Sequence, residues 1–556
     1  MFKLIRISAT ILVILLMVAS FTNCSAVEKN DSSEETSRQT EGNQKITEPW
    51  VGEGSWTLDI SPVKLDWYIN FGWYDKKWDA GNTLFDKVVT EQTGVDINII
   101  VPAGNGDGKL TSMIASGDLP DLVTLDNWSS IRTDLSNSGL FHPLNKLAEE
   151  YAPDLYKYIP ESMIKWYTEE DGNWYAIANY YTGPEWLVGD AYIENSNGII
   201  ARKDIMDQLG IKPEDFTTQD GAVDALLKVK NACLKYDGKD IIPFFTQWND
   251  WAMARMWAIP WETPEGDWQD INMHPKYLEM YKFLNRLWRH GLMHNDNFTS
   301  WAGEKISQGI CFSYMGNTDD VRDSIAAAFR KDKRIVYVPV GPIHALDGEE
   351  PLYDQAGTGW TSTFITKQSR NPDRAIRLLT FLASDEGQML TWYGVEGETY
   401  EIVDGKVRYS EAYKKMKSDN PDMAKRIYGV DTFWPLQQSM FFQRTVDSGD
   451  LPEVDRHYMA IRRYFSGYSV WTPETMGIIP DKGTREAGIN IMIGEYWSEQ
   501  NIRMIMAKSE EEVEHIYNAA VEHVYEMGYA EVYEACNKKY KEQKAKLGRD
   551  VSYPRH

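Results

Sequence analysis

Cysteine is scarce in this chain: 556 residues hold four, Cys24, Cys233, Cys311 and Cys536. None pairs with another at short spacing, which argues against a zinc knuckle, a redox Cys-x-x-Cys motif and a disulfide framework. Cys233, Cys311 and Cys536 therefore read as buried free thiols. Positive charge is also short, with 58 Lys and Arg against 83 Asp and Glu and a net charge of -25. Nucleic acid and anionic membrane surfaces are accordingly poor partners. No Gly-x-Ser-x-Gly elbow, His-Glu-x-x-His helix or Walker loop is present, which disfavours several hydrolytic and phosphoryl-transfer chemistries. Neither an internal repeat nor a coiled-coil register runs through the sequence.

What is present points to a large water-soluble body. Apolar residues make up 42% and charged residues 25%, ordinary for a globular protein. The length exceeds the about 100 to 200 residues of one domain, so two lobes are expected. The 21 Trp and 31 Tyr supply flat apolar rings with a polar edge, which suit the mixed faces of sugars and also suit a core. At the N-terminus, Lys3 and Arg6 precede an apolar stretch over 7–19. This is the length of a signal h-region and shorter than the about 20 residues a membrane-spanning helix needs. After Phe21-Thr22-Asn23-Cys24, Ser, Glu, Asp, Gln and Thr dominate as far as Glu48, too polar to collapse. Signal, cysteine and solvated tether resemble a bacterial lipoprotein N-terminus. The resemblance implies acylation of Cys24 and residence on the extracellular face of the bacterial cell membrane, held by lipid alone. Phe21 and Asn23 depart from the usual pattern before such a cysteine, so ordinary cleavage nearby or an uncleaved anchor stands as the alternative.

Beyond the tether, strands and helices alternate. Leu65-Asp66-Trp67-Tyr68-Ile69 reads as a first strand, 83–93 as an amphipathic helix and 95–101 as a second strand. A helix over 109–116 and an apolar strand over 121–125 follow. This order predicts an α/β fold with a parallel sheet whose ligand-binding loops lie at the carboxyl ends of the strands. The logic repeats at 198–202 with a helix over 204–209, at 335–340, and at Asn371-Pro372-Asp373, which caps and opens a helix. The stretch 510–546 reads as one charged amphipathic helix.

Ala115-Ser116-Gly117-Asp118-Leu119-Pro120-Asp121-Leu122 resembles a helix-to-strand signature of the extracellular solute-binding proteins of carbohydrate importers. Ile199-Ile200-Ala201-Arg202-Lys203-Asp204 with Leu209-Gly210-Ile211 resembles a second block of that family. Residues 371–382, with Tyr393-Gly394-Val395-Glu396-Gly397-Glu398-Thr399-Tyr400, resemble a third, in the large lipoprotein subfamily labelled oligosaccharide, alginate or aldouronate binding. The resemblance implies a two-lobed periplasmic-binding-protein-like fold, discontinuous lobes joined by crossing segments, and ligand held in the cleft between them. Crossings are expected near 171–181 and 357–365. The expected division is a signal peptide with lipidated cysteine over 1–24, a polar tether over 25–55, an N-terminal lobe over 56–175 and 360–405, and a C-terminal lobe over 176–359 and 406–556. Alginate-binding relatives carry a calcium loop, whereas Asp171-Gly172-Asn173 here lacks EF-hand ligand spacing and reads as a tight turn. No metal and no cofactor are expected.

A sugar receptor needs aromatic platforms and planar amides or carboxylates on strand ends and crossings. Asn70 and Trp73 follow the first strand, and Asp126, Asn127 and Trp128 follow the third. Tyr180 and Tyr181 fall on the first crossing and Trp360 on the second. Trp248, Asn249 and Asp250 form the densest cluster in the second lobe, and Asn317 follows the apolar run 310–313. Trp434 borders the groove, and Glu396 belongs to the third family block. For each, packing or an ordinary turn is the competing role. The resulting expectation is a monomeric, non-enzymatic receptor that captures a carbohydrate, an oligosaccharide above all, and delivers it to the permease subunits of an ATP-binding cassette importer. The alternatives are a secreted glycoside hydrolase, which needs two carboxylates roughly 5 to 10 Å apart, and a glycan-binding adhesin or sensor subunit.

Overall fold

The computed structural model describes residues 54–548 except 80–82, 105, 130, 133–134, 136–137, 188–190 and 248–249. The expected leader, Cys24 and most of the expected tether lie outside the described residues. In the first sheet Val63–Ile69 pairs in parallel with Val95–Ile100 on one side and Leu122–Asp126 on the other. Between the first two strands, Leu84–Thr93 forms a helix for local reasons. The Thr83 hydroxyl accepts the Asp86 N–H at its start, and Gly94, at φ 69°, ends it, as a glycine in the left-handed region does.

The parallel arrangement expected from sequence stops at three strands. Thr361–Ile365 runs antiparallel to Leu122–Asp126, with Thr361 opposite Asp126, and Ile177–Ala178 completes the sheet. The direction follows from the route of the chain. It returns from the second lobe at the carboxyl edge of the sheet, so the next strand must run back across it.

The second sheet has the order Tyr337–Val340, Asn197–Arg202, Cys311–Asn317, Ile242–Thr246. Only its last pair is parallel. Each sheet has its own core. Leu65, Trp67, Ile69, Phe85 and Leu122 pack with Leu378 and Leu382 under the first. Ile199, Phe244 and Phe312 pack with residues of Pro275–Arg289 and Arg485–Met506 under the second. The segment read as one C-terminal helix is two, Glu510–Met527 and Tyr529–Leu547. Gly528 breaks it with φ 107°. Of the three thiols expected to be buried, Cys311 and Cys536 are, while Cys233 sits exposed at φ 48° just past the helix Gln219–Asn231. The turn at Asp171 forms, its carboxylate accepting from the Asn173 backbone and amide.

Part of both expected crossings proves to be strand of the first sheet, since Ile177–Ala178 pairs with Ser362 and Thr363. The chain leaves that sheet after Tyr181 and returns just before Trp360, and the two passages run side by side. Tyr181 bridges Thr358, and the Thr182 N–H donates to the Gly357 carbonyl at 2.7 Å. A third passage follows Leu451, which packs with Trp392 and Tyr393, and leads into the helix Glu453–Ser466, whose Ile461 and Phe465 pack under the second sheet.

On the second-lobe side of the return passage, the Arg255 guanidinium pairs with the Asp354 carboxylate at 2.6 Å, both side chains almost fully buried. Removing one member strands the other charge in the core. Asp354→Ala is expected to lower unfolding free energy by about 3 to 5 kcal/mol, measured by urea denaturation.

Candidate ligand-binding site

The carboxyl edge of the first sheet gathers three indoles that lie far apart in sequence. Trp73 follows the strand Val63–Ile69, Trp360 precedes Thr361–Ile365, and Trp434 comes from the segment after the helix Pro421–Tyr428. Ring centroids of Trp360 and Trp434 lie 4.6 Å apart with planes inclined by 32°. Trp73 stacks on Trp434 at 5.7 Å and on Trp360 at 6.2 Å. Phe71 backs the set, 5.2 Å from Trp73 and from Trp360. Trp73 is 64% exposed, so a broad apolar face with a polar edge stands open to solvent. Such a face is costly to leave in water and matches the C–H face of a pyranose or furanose.

A buried amide fixes this arrangement. Asn179 Oδ1 accepts the N–H groups of Trp360 and Thr361 at 3.3 and 2.9 Å, and its Nδ2 donates to the Trp434 carbonyl at 3.3 Å. Gly359, at φ 79°, lets the two strands meet, because a Cβ there would lie 2.0 Å from the Asn179 carbonyl oxygen. Asn127 braces the other side. Its backbone N–H donates to the Trp360 carbonyl, its amide donates to the Gly359 carbonyl and the Tyr167 hydroxyl, and its Oδ1 accepts from Ser362.

Polar groups border the indoles. The Asn70 amide donates to Asp107 at 2.7 Å, and the Ser129 hydroxyl donates to the other Asp107 oxygen at 3.0 Å. Asp126 accepts the Trp128 N–H at 3.0 Å. Burial, and then the Asp107 charge, holds its carboxyl above the usual range. Trp128 is 60% exposed beside them.

The structure thus brings Asn70, Trp73, Asp126, Asn127, Trp128, Trp360 and Trp434 to one edge. Tyr180 lies nearby at φ 46°, its hydroxyl donating to Gln437, and burial raises its pKa well above 10. Tyr181 is fully buried, with its hydroxyl on Ser162. In the second lobe, Asn317 ends the central strand and accepts the Asp319 N–H. Asp250 opens a helix but turns inward to Tyr281 and Asn501. Burial raises its pKa. Glu396 is exposed on the turn before Tyr400. Trp248 and Asn249 lie outside the described residues.

Sequence reasoning missed Asn179 and Asp107, although Asp107 stands in the first turn of the helix after the second strand, where a sheet of this type places ligand-facing residues. It also missed Arg322, five residues past the strand Cys311–Asn317, which lies 3.7 Å from Asp455. Among the described residues no cluster of His, Cys, Asp and Glu has the makings of a metal site, and no helix is long and apolar enough to cross a membrane. A cavity of about 820 Å³ lies along the outer edge strand Val95–Ile100 and is lined by none of the rings of Phe71, Trp73, Trp360 and Trp434, although its Tyr74 lies 5.2 Å from Trp434.

Asn179→Ala removes three hydrogen bonds at once. It is expected to cost about 1 to 3 kcal/mol of stability, read by thermal unfolding, and to change the tryptophan emission of the native state.

No curated protein matches this sequence. Solved structures do resemble it in fold. The alginate-binding protein AlgQ2, solved without calcium ion, superposes with a TM-score of 0.61 at 19% identity, over 88% of this chain and 100% of that one. The EF-hand mutant of the S. pneumoniae ABC-transporter substrate-binding protein FusA, in complex with fructo-nystose, gives 0.66 at 17% identity, over 87% and 100%. The N-glycan transport solute-binding protein NgtS from Streptococcus pneumoniae, with Man1GlcNAc, gives 0.53 at 19%, over 87% and 100%. At these identities the likeness establishes the two-lobed periplasmic-binding-protein-like fold. The sequence itself matches the family described as bacterial extracellular solute-binding protein over residues 76–389. That match spans more than half of the 556 residues, and the chain therefore belongs to the family of bacterial extracellular solute-binding proteins.

Proposed function

We propose that this chain captures an oligosaccharide between its lobes and delivers it to the permease subunits of an ATP-binding cassette importer. The observation that carries the reading is the solvent-facing set of Trp73, Trp360 and Trp434, fixed at the carboxyl edge of the first sheet. Stacked rings grip the C–H faces of a sugar, and adjoining carboxylates and amides receive or donate hydrogen bonds in set directions. The sugar-binding roles named for AlgQ2, FusA and NgtS support the same reading. Placement in the large oligosaccharide subfamily follows from the Tyr393 to Tyr400 block.

Capture by two lobes is a population shift. Ligand that touches both lobes stabilises the closed form, and the closed form docks on the permease as a monomer. Attachment through an acylated Cys24, with the tether as leash, keeps the receptor beside the importer. Cys24→Ala is expected to release the protein into the medium, checked by blotting cell and supernatant fractions.

Trp360→Ala and Trp73→Ala are each expected to weaken binding of an oligosaccharide at least about tenfold. Calorimetry gives the affinity, and unchanged binding in both removes the platform from the site. Small-angle scattering with saturating ligand is expected to show a smaller radius of gyration. No change in that radius on saturation counts against closure.

A further inference from the structure

We propose that the glycan bound here is uncharged, and that Asp107 and Asp126 exclude uronic acids from the platform. The inference rests on the carbohydrate reading above and narrows it. These two carboxylates adjoin the indoles through short connections, Asp107 by the amide of Asn70 and Asp126 by its strand register with Thr361, next to Trp360. Their described partners are neutral: Asn70 and Ser129 for Asp107, and the Trp128 N–H for Asp126. Of the cations on this wall, Lys109 lies over the Tyr68 ring and donates to the Val101 carbonyl, and Arg132 lies over the Tyr167 ring with its Nε buried and without a hydrogen-bond partner. Among the described residues, no cation lies over Trp73, Trp360 or Trp434.

Near the end of the second lobe's central strand and along the passage after Leu451, Arg322, Arg462 and Lys417 each face carboxylates. Arg322 stands between Asp455, Asp431 and Asp319, and Arg462 is held by Glu194 and Asp319. Lys417 pairs with Asp455 at 3.1 Å. Carboxylates in this group outnumber cations. A ligand carboxylate would therefore meet like charge beside the indoles, and cations already faced by carboxylates beyond them. Hydroxyl groups would find two strong acceptors. Like-charge juxtaposition discriminates against a wrong ligand more sharply than a lost contact does.

The test is calorimetry on the chain without its leader and tether, against matched pairs: mannotetraose with tetramannuronate, and xylotetraose with aldotetraouronate. The expected result is binding of a neutral member with its acidic counterpart at least about 100-fold weaker. Raising salt screens repulsion and is expected to strengthen the acidic ligand's residual binding, which needs no variant. Asp107→Asn and Asp126→Asn, made singly, are expected to narrow the gap at least about tenfold. Acidic sugars that bind as well as or better than the neutral ones, and weaken with salt, overturn the charge argument while leaving the carbohydrate reading standing. Failure of every pair and of a wider oligosaccharide panel overturns both.

Discussion

The side chain of Asn179 is the fixed point of the binding edge. It is fully buried and ties three backbone groups from two distant segments, the N–H groups of Trp360 and Thr361 and the carbonyl of Trp434. Buried amides demand such partners, because an orphaned donor or acceptor costs more than a good hydrogen bond returns. Satisfying this one amide therefore sets the spacing of two indoles, and the third, Trp73, stacks across both. The close approach of the strands requires Gly359, whose left-handed backbone and missing side chain make room for the Asn179 carbonyl. A surface that water would otherwise scatter into independent rotamers is thus held in advance of ligand, which reduces the ordering cost of binding.

The same region joins the lobes. The outgoing and returning passages are hydrogen-bonded to each other through Tyr181, Thr182, Gly357 and Thr358, so they form one element rather than two loose strings. The third passage is bordered by charge. Lys417, on the helix Glu411–Asp419, pairs with Asp455 on Glu453–Ser466, and Arg322 approaches the same carboxylate. Ion pairs across a chain passage hold a geometry without the interdigitation of an apolar contact. That suits the joint that the proposed closure requires, since packed cores resist continuous deformation.

Much of the first lobe was legible in advance. The alternation around Trp67, the amphipathic run from Thr83 and the proline opening at Pro372 are local signals, and the elements form where those signals stand. Strand direction was not legible beyond the third strand, because it depends on where the chain re-enters the sheet. The break at Gly528 was hidden inside an otherwise continuous helical pattern. Among candidate residues, those flanking strand ends in the first lobe do gather at one edge. Asp250 instead turns inward to Tyr281 and Asn501, a partnership set by helices far along the chain.

The sequence alone determined the class of this protein: an α/β body with family blocks in order, a surplus of acid, and aromatic residues next to strand ends. The α/β order, the surplus of acid and the placement of the aromatics follow from periodicity, composition and spacing, which act over a few residues at a time, whereas the family blocks rest on resemblance. The tertiary structure decided which aromatics share a surface, which carboxylates lack a cation and which amide holds the set together. Those outcomes depend on contacts between Trp73, Asn179, Trp360 and Trp434, which lie on separate segments of the chain and are brought together only when the sheet closes around a buried amide that must be satisfied.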